Sequence, residues 1–300
     1  MKKTSRIRPA VCAALALLLC FAAGCSGAER ETVGICGGDP ILREEYDYLA
    51  ARLEAGLSEE QIREQVTPAL IEDRAILAAA RALLDGLTPE DSAVQKAVDA
   101  GLEDAKKTCG GKSEFRAMLR ERNLTEHHFR RLLAIAELQR LTQEKLFAGT
   151  ELDSTSDFAA WLKNPAHHAR AERYVFSTRA DAEKFLSVCA AGRDPDAAVG
   201  DCGGEKRKAG DFFLGLGTEA EDAAVFGLPE DGATLSPVTE TGDSCTVFRR
   251  LPVSDTARED VAAMQGLAVR DRLRDVKWNA LLDEYRDQLT VSWTKDGQNG

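Results

Sequence analysis

The sequence predicts an α+β protein in which helices come first, a small unit of strands and helices follows, and one long helix comes last. Three observations predict this class. Apolar residues recur at helical spacing from about Leu42 to Leu141. After Pro165 that pattern gives way to short strand-like runs and glycine-rich turns. Helical spacing then returns at Asp255 and continues to Tyr285.

Composition and charge limit what the chain can do. With 300 residues, 44% hydrophobic and 30% charged, it has enough apolar content for one or two globular domains with a packed core. Aromatic residues make up 6%, which argues against binding that depends on stacking. A formal charge of −11 argues against nucleic acid as the main partner, because phosphate backbones repel acidic surfaces.

The N-terminus has the pattern of a secretory signal. A basic start precedes fourteen apolar residues, Ala10–Ala23, which is too short for a membrane span of about 20. Small residues before Cys25 resemble a bacterial lipobox, so we expect residues 1–24 to be removed and Cys25 to carry lipid. The alternative is ordinary cleavage near Ala23 with a free Cys25. Removal of residues 1–24 takes four positive charges away and leaves a mature charge of −15.

The mature chain is thus expected to be an acidic, extracytoplasmic protein held to the membrane by the tether 25–31.

The remaining cysteines are odd in number and lack a CxxC pair, so one or two disulfides could form with unreadable pairing. Adjacent histidines at 127–128 and 167–168 lack the i,i+4 spacing of metal ligands on a helix. We expect surface histidines, no metal and no cofactor. The five cysteines are Cys36, Cys109, Cys189, Cys202 and Cys245.

The first elements follow from turn and capping signals. A short strand is expected at Val33–Cys36, and Gly37–Pro40 has the composition of a turn. A helix should begin near Leu42. Ser58–Gln61 has the form of a capping box and predicts the next helix. Thr67-Pro68 matches an N-cap and first helical residue, so that helix should kink or restart there.

Further helices follow up to residue 165. Thr88-Pro89 should begin a helix that ends near Lys107, and a short helix should end near Asn123. Thr125 is expected to cap a long helix that continues to Leu141. None of these segments carries a nucleophile beside a base or a phosphate-binding loop, so their apolar stripes are interpreted as core.

Residues 168–252 are predicted to form the small α+β unit. The unit contains a glycine-rich stretch from Gly200 to Gly217, and the chain ends in a strand-like run at 289–293. The expected strands are Arg173–Phe176, Leu235–Val238 and Thr246–Arg249, and the expected helices are Ala180–Ala190, Glu219–Phe226 and one beginning at Asp255.

Several phrases resemble secreted foldases of the PrsA/SurA type. The opening strand and the segment 37–46 are similar to the start of those proteins, and 70–74, 86–90 and 123–126 are similar to their helical module. The end at 291–293 resembles the returning C-terminal element. The resemblance implies a discontinuous helical chaperone module, residues 32–165 with 255–293, into which a parvulin-type prolyl isomerase domain, 168–252, is inserted.

The inserted unit resembles a parvulin in four places. Cys202 matches the position of a nucleophile-like Cys or Asp, and Ala209–Asp211 matches the Gly-Gly-Asp that follows it. Glu221–Ala224 matches the family's Glu-Asp-Ala helix, and Ser236–Val238 matches its Gly-Pro-Val strand. The resemblance therefore implies that the catalytic positions are Cys202, Arg173 and Thr246.

The catalytic positions depart from the parvulin pattern. Two facing histidines are implied, but Arg173 stands at the first and Thr246 at the second, or Cys245 if the alignment slips by one. The loop that supplies the proline pocket is about three residues short. The apolar candidates left for that pocket are Phe212, Phe213 and Leu214.

These departures leave three hypotheses about function. The first is a lipid-anchored holdase that binds unfolded exported polypeptides and has little or no isomerase activity. The second is an active isomerase in which Cys202 and altered partners work. The third is a lipoprotein that binds one dedicated envelope partner. Basic residues at 206–208 imply either a preference for acidic residues before proline or a solvated loop, and a redox role for Cys202 stays open.

Overall fold

A computed structural model describes residues 31–294 of the chain. It combines many helices with two small antiparallel sheets, which confirms the predicted α+β class. The predicted signal segment 1–24 and Cys25 lie outside the described residues. Within those residues, no helix is both long enough and apolar enough to cross a bilayer.

The elements are numbered in chain order. The helices are α1 (Arg43–Ala50), α2 (Glu59–Leu83), α3 (Ser92–Thr108), α4 (Lys112–Glu121), α5 (Glu126–Phe147), α6 (Thr155–Leu162), α7 (Arg179–Ala190), α8 (Pro195–Ala198), α9 (Glu219–Phe226) and α10 (Asp255–Arg286). The strands are β1 (Thr32–Cys36), β2 (Asp39–Leu42), β3 (His168–Phe176), β4 (Gly204–Phe213), β5 (Thr239–Thr241), β6 (Ser244–Leu251) and β7 (Val291–Trp293).

Contacts divide the chain into two compact units. The first unit consists of the chain up to Leu146 and from Trp278 onward, and the second is Phe147–Lys277. Helix α6 and most of α10 therefore group with the second unit, whereas the sequence places the boundaries at 165–168 and 252–255. Leu162 of α6 is buried, and Gly266 of α10 lies against it, which ties these helices together.

The first unit contains a sheet that joins both ends of the described chain. Its strand order is β2–β1–β7, and Gly34 pairs with Trp293. A Cβ atom at Gly34 would lie 2.9 Å from the carbonyl oxygen of Ser292, so glycine permits this close approach. The expected turn at Gly37–Pro40 is shorter than predicted. It is confined to Gly37 and Gly38, both with positive φ, and Pro40 lies in β2.

Helix α2 begins with the predicted capping box but has no break at proline. The Ser58 hydroxyl accepts a hydrogen bond from the amide of Gln61, and the Gln61 side chain accepts one from the amide of Ser58. The predicted restart at Thr67-Pro68 is wrong, because α2 continues through Pro68. Val66 and Leu70 are buried on either side, so packing outweighs the local cost of proline.

The remaining helices of the first unit differ little from expectation. Helix α3 begins at Ser92 rather than Thr88, because the Asp91 carboxylate accepts hydrogen bonds from the amide and hydroxyl of Thr88 and folds that segment into a turn. Thr125 caps α5 as predicted and accepts from the amide of His128 at 2.9 Å. Trp278 and Leu282 of α10 pack in one core cluster with residues of α2, α3 and α5.

The second unit is built on a four-stranded antiparallel sheet with the order β4–β3–β6–β5. One face packs against α7 through Tyr174 and Phe185, and the other packs against α9 through Phe248 and Val225. The glycine-rich stretch contains the ten-residue strand β4, which the sequence did not predict. The strand expected at Leu235–Val238 is also misplaced, since Leu235 forms an isolated bridge and β5 follows it.

Candidate functional site

A cavity of about 440 Å³ lies on the α9 side of the second unit's sheet. Strand alternation brings its lining together, because side chains two apart on a strand share a face. Val175 of β3 pairs with Thr246 of β6, and Arg173 of β3 pairs with Arg207 of β4. The lining residues are Arg173, Val175, Arg207, Glu221, Thr241, Ser244 and Thr246.

Hydroxyl groups form one wall of this cavity. The hydroxyls of Thr241 and Thr246 lie 2.7 Å apart and share a hydrogen bond. Ser244 donates to the carbonyl oxygen of Thr241 at 3.0 Å, and Gly242 has the positive φ that the hairpin turn requires. Thr246 is buried, so its hydroxyl is held in place rather than free to rotate into solvent.

The charged groups of the cavity differ in their partners. Glu221 belongs to the capping box of α9, where it accepts from the amide of Thr218 at 3.1 Å. Arg207 is more than half exposed and pairs with Glu205 at 3.0 Å. Arg173 is exposed, forms no ion pair with any residue between 31 and 294, and lies 5.8 Å from the centre of the Phe212 ring. The cavity thus presents two guanidinium groups, three hydroxyls and the Glu221 carboxylate to a bound group.

Two of the three predicted catalytic positions meet at this cavity. Arg173 and Thr246 both line it. The register also places Thr246, not Cys245, on this face, because Cys245 packs with Phe176 and Val247 in the cluster on the α7 side. Their assignment as catalytic stays a prediction, since position alone does not demonstrate a chemical role.

Cys202 does not meet them. It ends a short 3-10 turn that begins at Gly200, and its side chain is buried on the α7 side with Tyr174 and Phe185. Strand β4 starts two residues later, after Gly203 has taken a positive φ. The turn therefore directs the Cys202 thiol into the core rather than toward the cavity.

The three predicted pocket residues also lie elsewhere. Phe212 packs edge-on against Phe248 with ring centres 5.7 Å apart, so it borders the cavity only through Arg173. The ring of Phe213 stacks on that of His168 at 5.3 Å. Leu214 follows β4, where its amide donates to the carbonyl oxygen of His167. Val175 is therefore the apolar side chain among the lining residues.

Arg207, Glu221, Thr241 and Ser244 were not predicted as site residues. Partial indications of two of them were present in the sequence. Ser244 lies two residues before Thr246 on the same strand, and Glu221 was matched as part of a helix. Arg207 could not be assigned a face, because β4 was not predicted. The aspartate that follows Glu221 supports the site from outside, since Asp222 accepts from the amide of Gly215 at 2.6 Å and burial raises its pKa.

The histidines correct another expectation. His128 and His168 are each 1% exposed, so they are buried rather than surface residues. His168 lies in β3, with its Nε2 atom 3.1 Å from a carboxylate oxygen of Asp211. Among residues 31–294 no group of three or more His, Cys, Asp or Glu side chains is placed to hold a metal ion.

A larger, more open cavity of about 760 Å³ lies at the C-terminal end of α7. Leu186, Cys189 and Pro195 form one side, and Leu235 and Pro237 form the other. It contains none of the catalytic positions that the parvulin resemblance implies, so the 440 Å³ cavity is the better candidate for chemistry.

Comparison with known proteins gave matches only among solved structures. No protein-family model matches the chain, and no curated protein does. The chain is similar to a PrsA peptidylprolyl isomerase from Bacillus anthracis, with 15% identity over 73% of this chain and 94% of that chain and a TM-score of 0.40. It is also similar to a PrsA from Bacillus cereus, with 12% identity over 91% and 96% of the two chains and a TM-score of 0.36.

A SurA-like chaperone of Campylobacter jejuni is a further neighbour, with 12% identity over 88% of this chain and 99% of that chain and a TM-score of 0.32. These neighbours are of the PrsA and SurA-like type that the sequence phrases resemble. Every one of these TM-scores is below 0.5, so the activity of this chain has to be argued from its own residues.

Proposed function

We propose that this protein is a lipid-anchored extracytoplasmic chaperone that binds unfolded exported polypeptides, and that its parvulin-like unit has little or no prolyl isomerase activity. One observation carries the proposal. The cavity where the resemblance implies two histidines and a proline slot has a guanidinium at Arg173, hydroxyls at Thr241 and Thr246, and one lining apolar side chain, Val175.

The chemistry of isomerisation explains why this lining argues against activity. Rotation about the peptide bond has a barrier of about 18–20 kcal/mol, and an enzyme lowers it by binding the twisted amide better than the planar one. That requires an apolar slot for the proline ring beside fixed polar groups. Phe212, Phe213 and Leu214, the candidates for the slot, are not among the residues that line the cavity.

The chain's organisation supports a binding role. The first unit is discontinuous, with its helices interrupted by the second unit and completed by α10 and β7. The predicted leader 1–24 and the short tether 25–31 support a position close to the outer surface of a membrane. A mature charge of −15 favours solubility in that compartment and contact with cationic clients.

The proposal is tested with the mature chain from residue 26 to 300 in two assays. We expect it to suppress aggregation of an unfolded client at stoichiometric amounts. We expect no acceleration of X-Pro peptide isomerisation at high protein concentration. Failure to bind any unfolded client, in a sample shown to be folded by circular dichroism, would overturn the chaperone assignment.

An active isomerase is the second candidate, and the retained cavity favours it. Arg173→Ala and Cys202→Ala separate the alternatives. Activity lost with Arg173→Ala but kept with Cys202→Ala would assign catalysis to the cavity, whereas the reverse would assign it to the buried thiol. Binding of one stoichiometric envelope protein in place of many unfolded clients would favour the third hypothesis, a dedicated interaction lipoprotein.

A further inference from the structure

The end of α3 and the whole of α4 form a basic region in an acidic protein. Residues 106–122 contain six basic and two acidic residues, although the full chain has a net charge of −11. The region belongs to the first unit. Its charge is therefore opposite in sign to that of the protein that carries it.

Four of the six basic side chains are both exposed and unpaired among the residues that the structure describes. Lys106 is neutralised, since it lies 3.0 Å from Glu103 and 3.9 Å from Glu126. Arg122 is partly buried, with its Nη1 atom out of contact with solvent. The remaining four are exposed, and none forms a salt bridge or side-chain hydrogen bond with any residue of the described chain. We call these four residues the basic patch: Lys107, Lys112, Arg116 and Arg120.

Three members of the basic patch form a row on α4. Lys112, Arg116 and Arg120 are spaced four residues apart and share one helix face, while Phe115 and Leu119 are buried on another. Like charges at this spacing destabilise a helix by about 0.2–0.5 kcal/mol per pair. Packing of α4 does not use the row, so its charge is available to a group outside the chain.

The basic patch lies within reach of the proposed membrane anchor. Phe115 packs in one cluster with Tyr48 of α1. Helix α1 has eight residues, about 12 Å, and follows Leu42, which pairs with Thr32. From Cys25 to Thr32 the chain can span at most about 25 Å. A lipid on Cys25 would therefore hold the patch near the headgroups, and this step rests on the proposed anchoring.

We propose that the basic patch docks on anionic lipid headgroups and orients the anchored chaperone on its membrane. Each lysine or arginine near an anionic surface contributes about five-fold in affinity. At 0.1 M salt the Debye length is about 10 Å, so acidic residues on distant surfaces oppose this contact only weakly. Several cations can contact a flat anionic surface at once without any concave binding site. An exposed helix face is therefore sufficient for this contact.

Vesicle binding by the mature chain without lipid, residues 26–300, tests this proposal apart from the anchor. Vesicles of phosphatidylglycerol and phosphatidylcholine are compared with vesicles of phosphatidylcholine alone by co-sedimentation at 0.05 and 0.3 M salt. A control variant loses the same charge from exposed, unpaired positions elsewhere. The patch variant is K107Q/K112Q/R116Q/R120Q, and the control is K96Q/K145Q/K208Q/R272Q.

We expect salt-sensitive binding to anionic vesicles only, a loss of about a hundred-fold or more in the patch variant, and a small loss in the control. Absence of binding by the native chain, equal binding to both vesicles, or equal losses in the two variants would overturn the proposal. Suppression of client aggregation is measured in the same samples without vesicles. Its loss in the patch variant, with vesicle binding intact, would assign the patch to acidic clients instead.

Discussion

His128 shows how one buried side chain makes stability depend on pH. Its ring packs on that of Tyr48 with centres 5.0 Å apart, and neither ring nitrogen has a partner among the described residues. Burial lowers its pKa to about 4, although the nearby carboxylates of Glu45 and Glu44 oppose the shift and Arg131 adds to it. The imidazole is therefore neutral in the folded protein at neutral pH.

This lowered pKa predicts a loss of stability in mild acid. The unfolded chain takes up a proton at His128 below pH 6.5, whereas the folded chain does so only near pH 4. Stability is fully present above pH 6.5 and falls as the pH drops toward 4, by up to about 3 kcal/mol. His128→Phe, which keeps a ring against Tyr48, should remove this contribution, as measured by urea unfolding between pH 4 and 7.5.

The slope of unfolding free energy against pH is compared between the native protein and His128→Phe. The native protein should lose more stability than His128→Phe as the pH falls, because only the native chain carries the protonation cost. Two parallel curves over this range would show that His128 does not titrate as its burial implies.

Arg173 and Cys202 show what sequence reasoning can and cannot place. The resemblance implied that Arg173 and Thr246 belong to one site, and both line the same cavity. The direction of the Cys202 thiol could not be predicted, because it depends on a 3-10 turn and on a positive φ at Gly203. A local turn that reverses a side chain leaves no periodic signal in the sequence.

Among the elements, strand β4 is an example of one that the sequence did not predict. A capping box predicted the start of α2, and helices were expected at the positions of both α2 and α9, because helix signals are local. Strand β4 is an edge strand, GEKRKAGDFF, with charged residues in place of an alternating apolar pattern. Charge on an edge discourages pairing with other chains, and it also hides the strand from pattern analysis.

Gly204 predicts a sharp difference between two glycines of β4. A Cβ atom at Gly204 would lie 2.2 Å from the buried ring of Phe176, its cross-strand neighbour. Gly204→Ala should therefore destabilise the second unit by about 1–3 kcal/mol. Gly210→Ala, in the same strand with nothing within 4 Å, should change stability by less than about 0.5 kcal/mol. Thermal unfolding of both variants measures the difference, and equal shifts would contradict the predicted clash.

Helix α10 presents exposed apolar side chains that would suit the unfolded clients of the proposed chaperone. Met264 is 77% exposed and Leu267 is 57% exposed, one turn apart on that helix. Exposed, flexible apolar side chains suit binding to varied sequences. Met264→Ser/Leu267→Ser should reduce suppression of client aggregation several-fold with little change in melting temperature. Ala268→Ser on the same helix is the control, and an unchanged double variant would move client binding elsewhere.

At the scale of the whole molecule, β7 completes the first unit. Trp293 packs edge-on against Tyr46 with ring centres 5.5 Å apart, and the guanidinium of Arg63 lies 5.5 Å from the Trp293 ring. Trp293→Ala should destabilise the first unit by about 2 kcal/mol, since the indole is half-buried. Ser292→Ala, on the opposite face of β7, should have little effect. Urea unfolding followed by circular dichroism checks both, and equal effects would contradict the role given to Trp293.

The discontinuous organisation was predictable only through resemblance. Periodicity identifies α10 but does not say where it packs. Trp278 and Leu282 join the first unit's core, whereas Gly266 lies against α6 of the second. One continuous helix therefore serves both units, and the boundary within it depends on long-range packing that no short sequence pattern encodes.

The pairing of β1 with β7 has a consequence for the order in which the two units fold. Gly34 and Trp293 are bonded neighbours in one sheet, yet they are synthesised at opposite ends of the described chain. During synthesis the second unit, whose residues are contiguous, is complete before the last strand of the first unit and can fold first. The first unit has to wait for the last strand, so a stalled or truncated chain would expose unfinished helices beside a finished inserted unit.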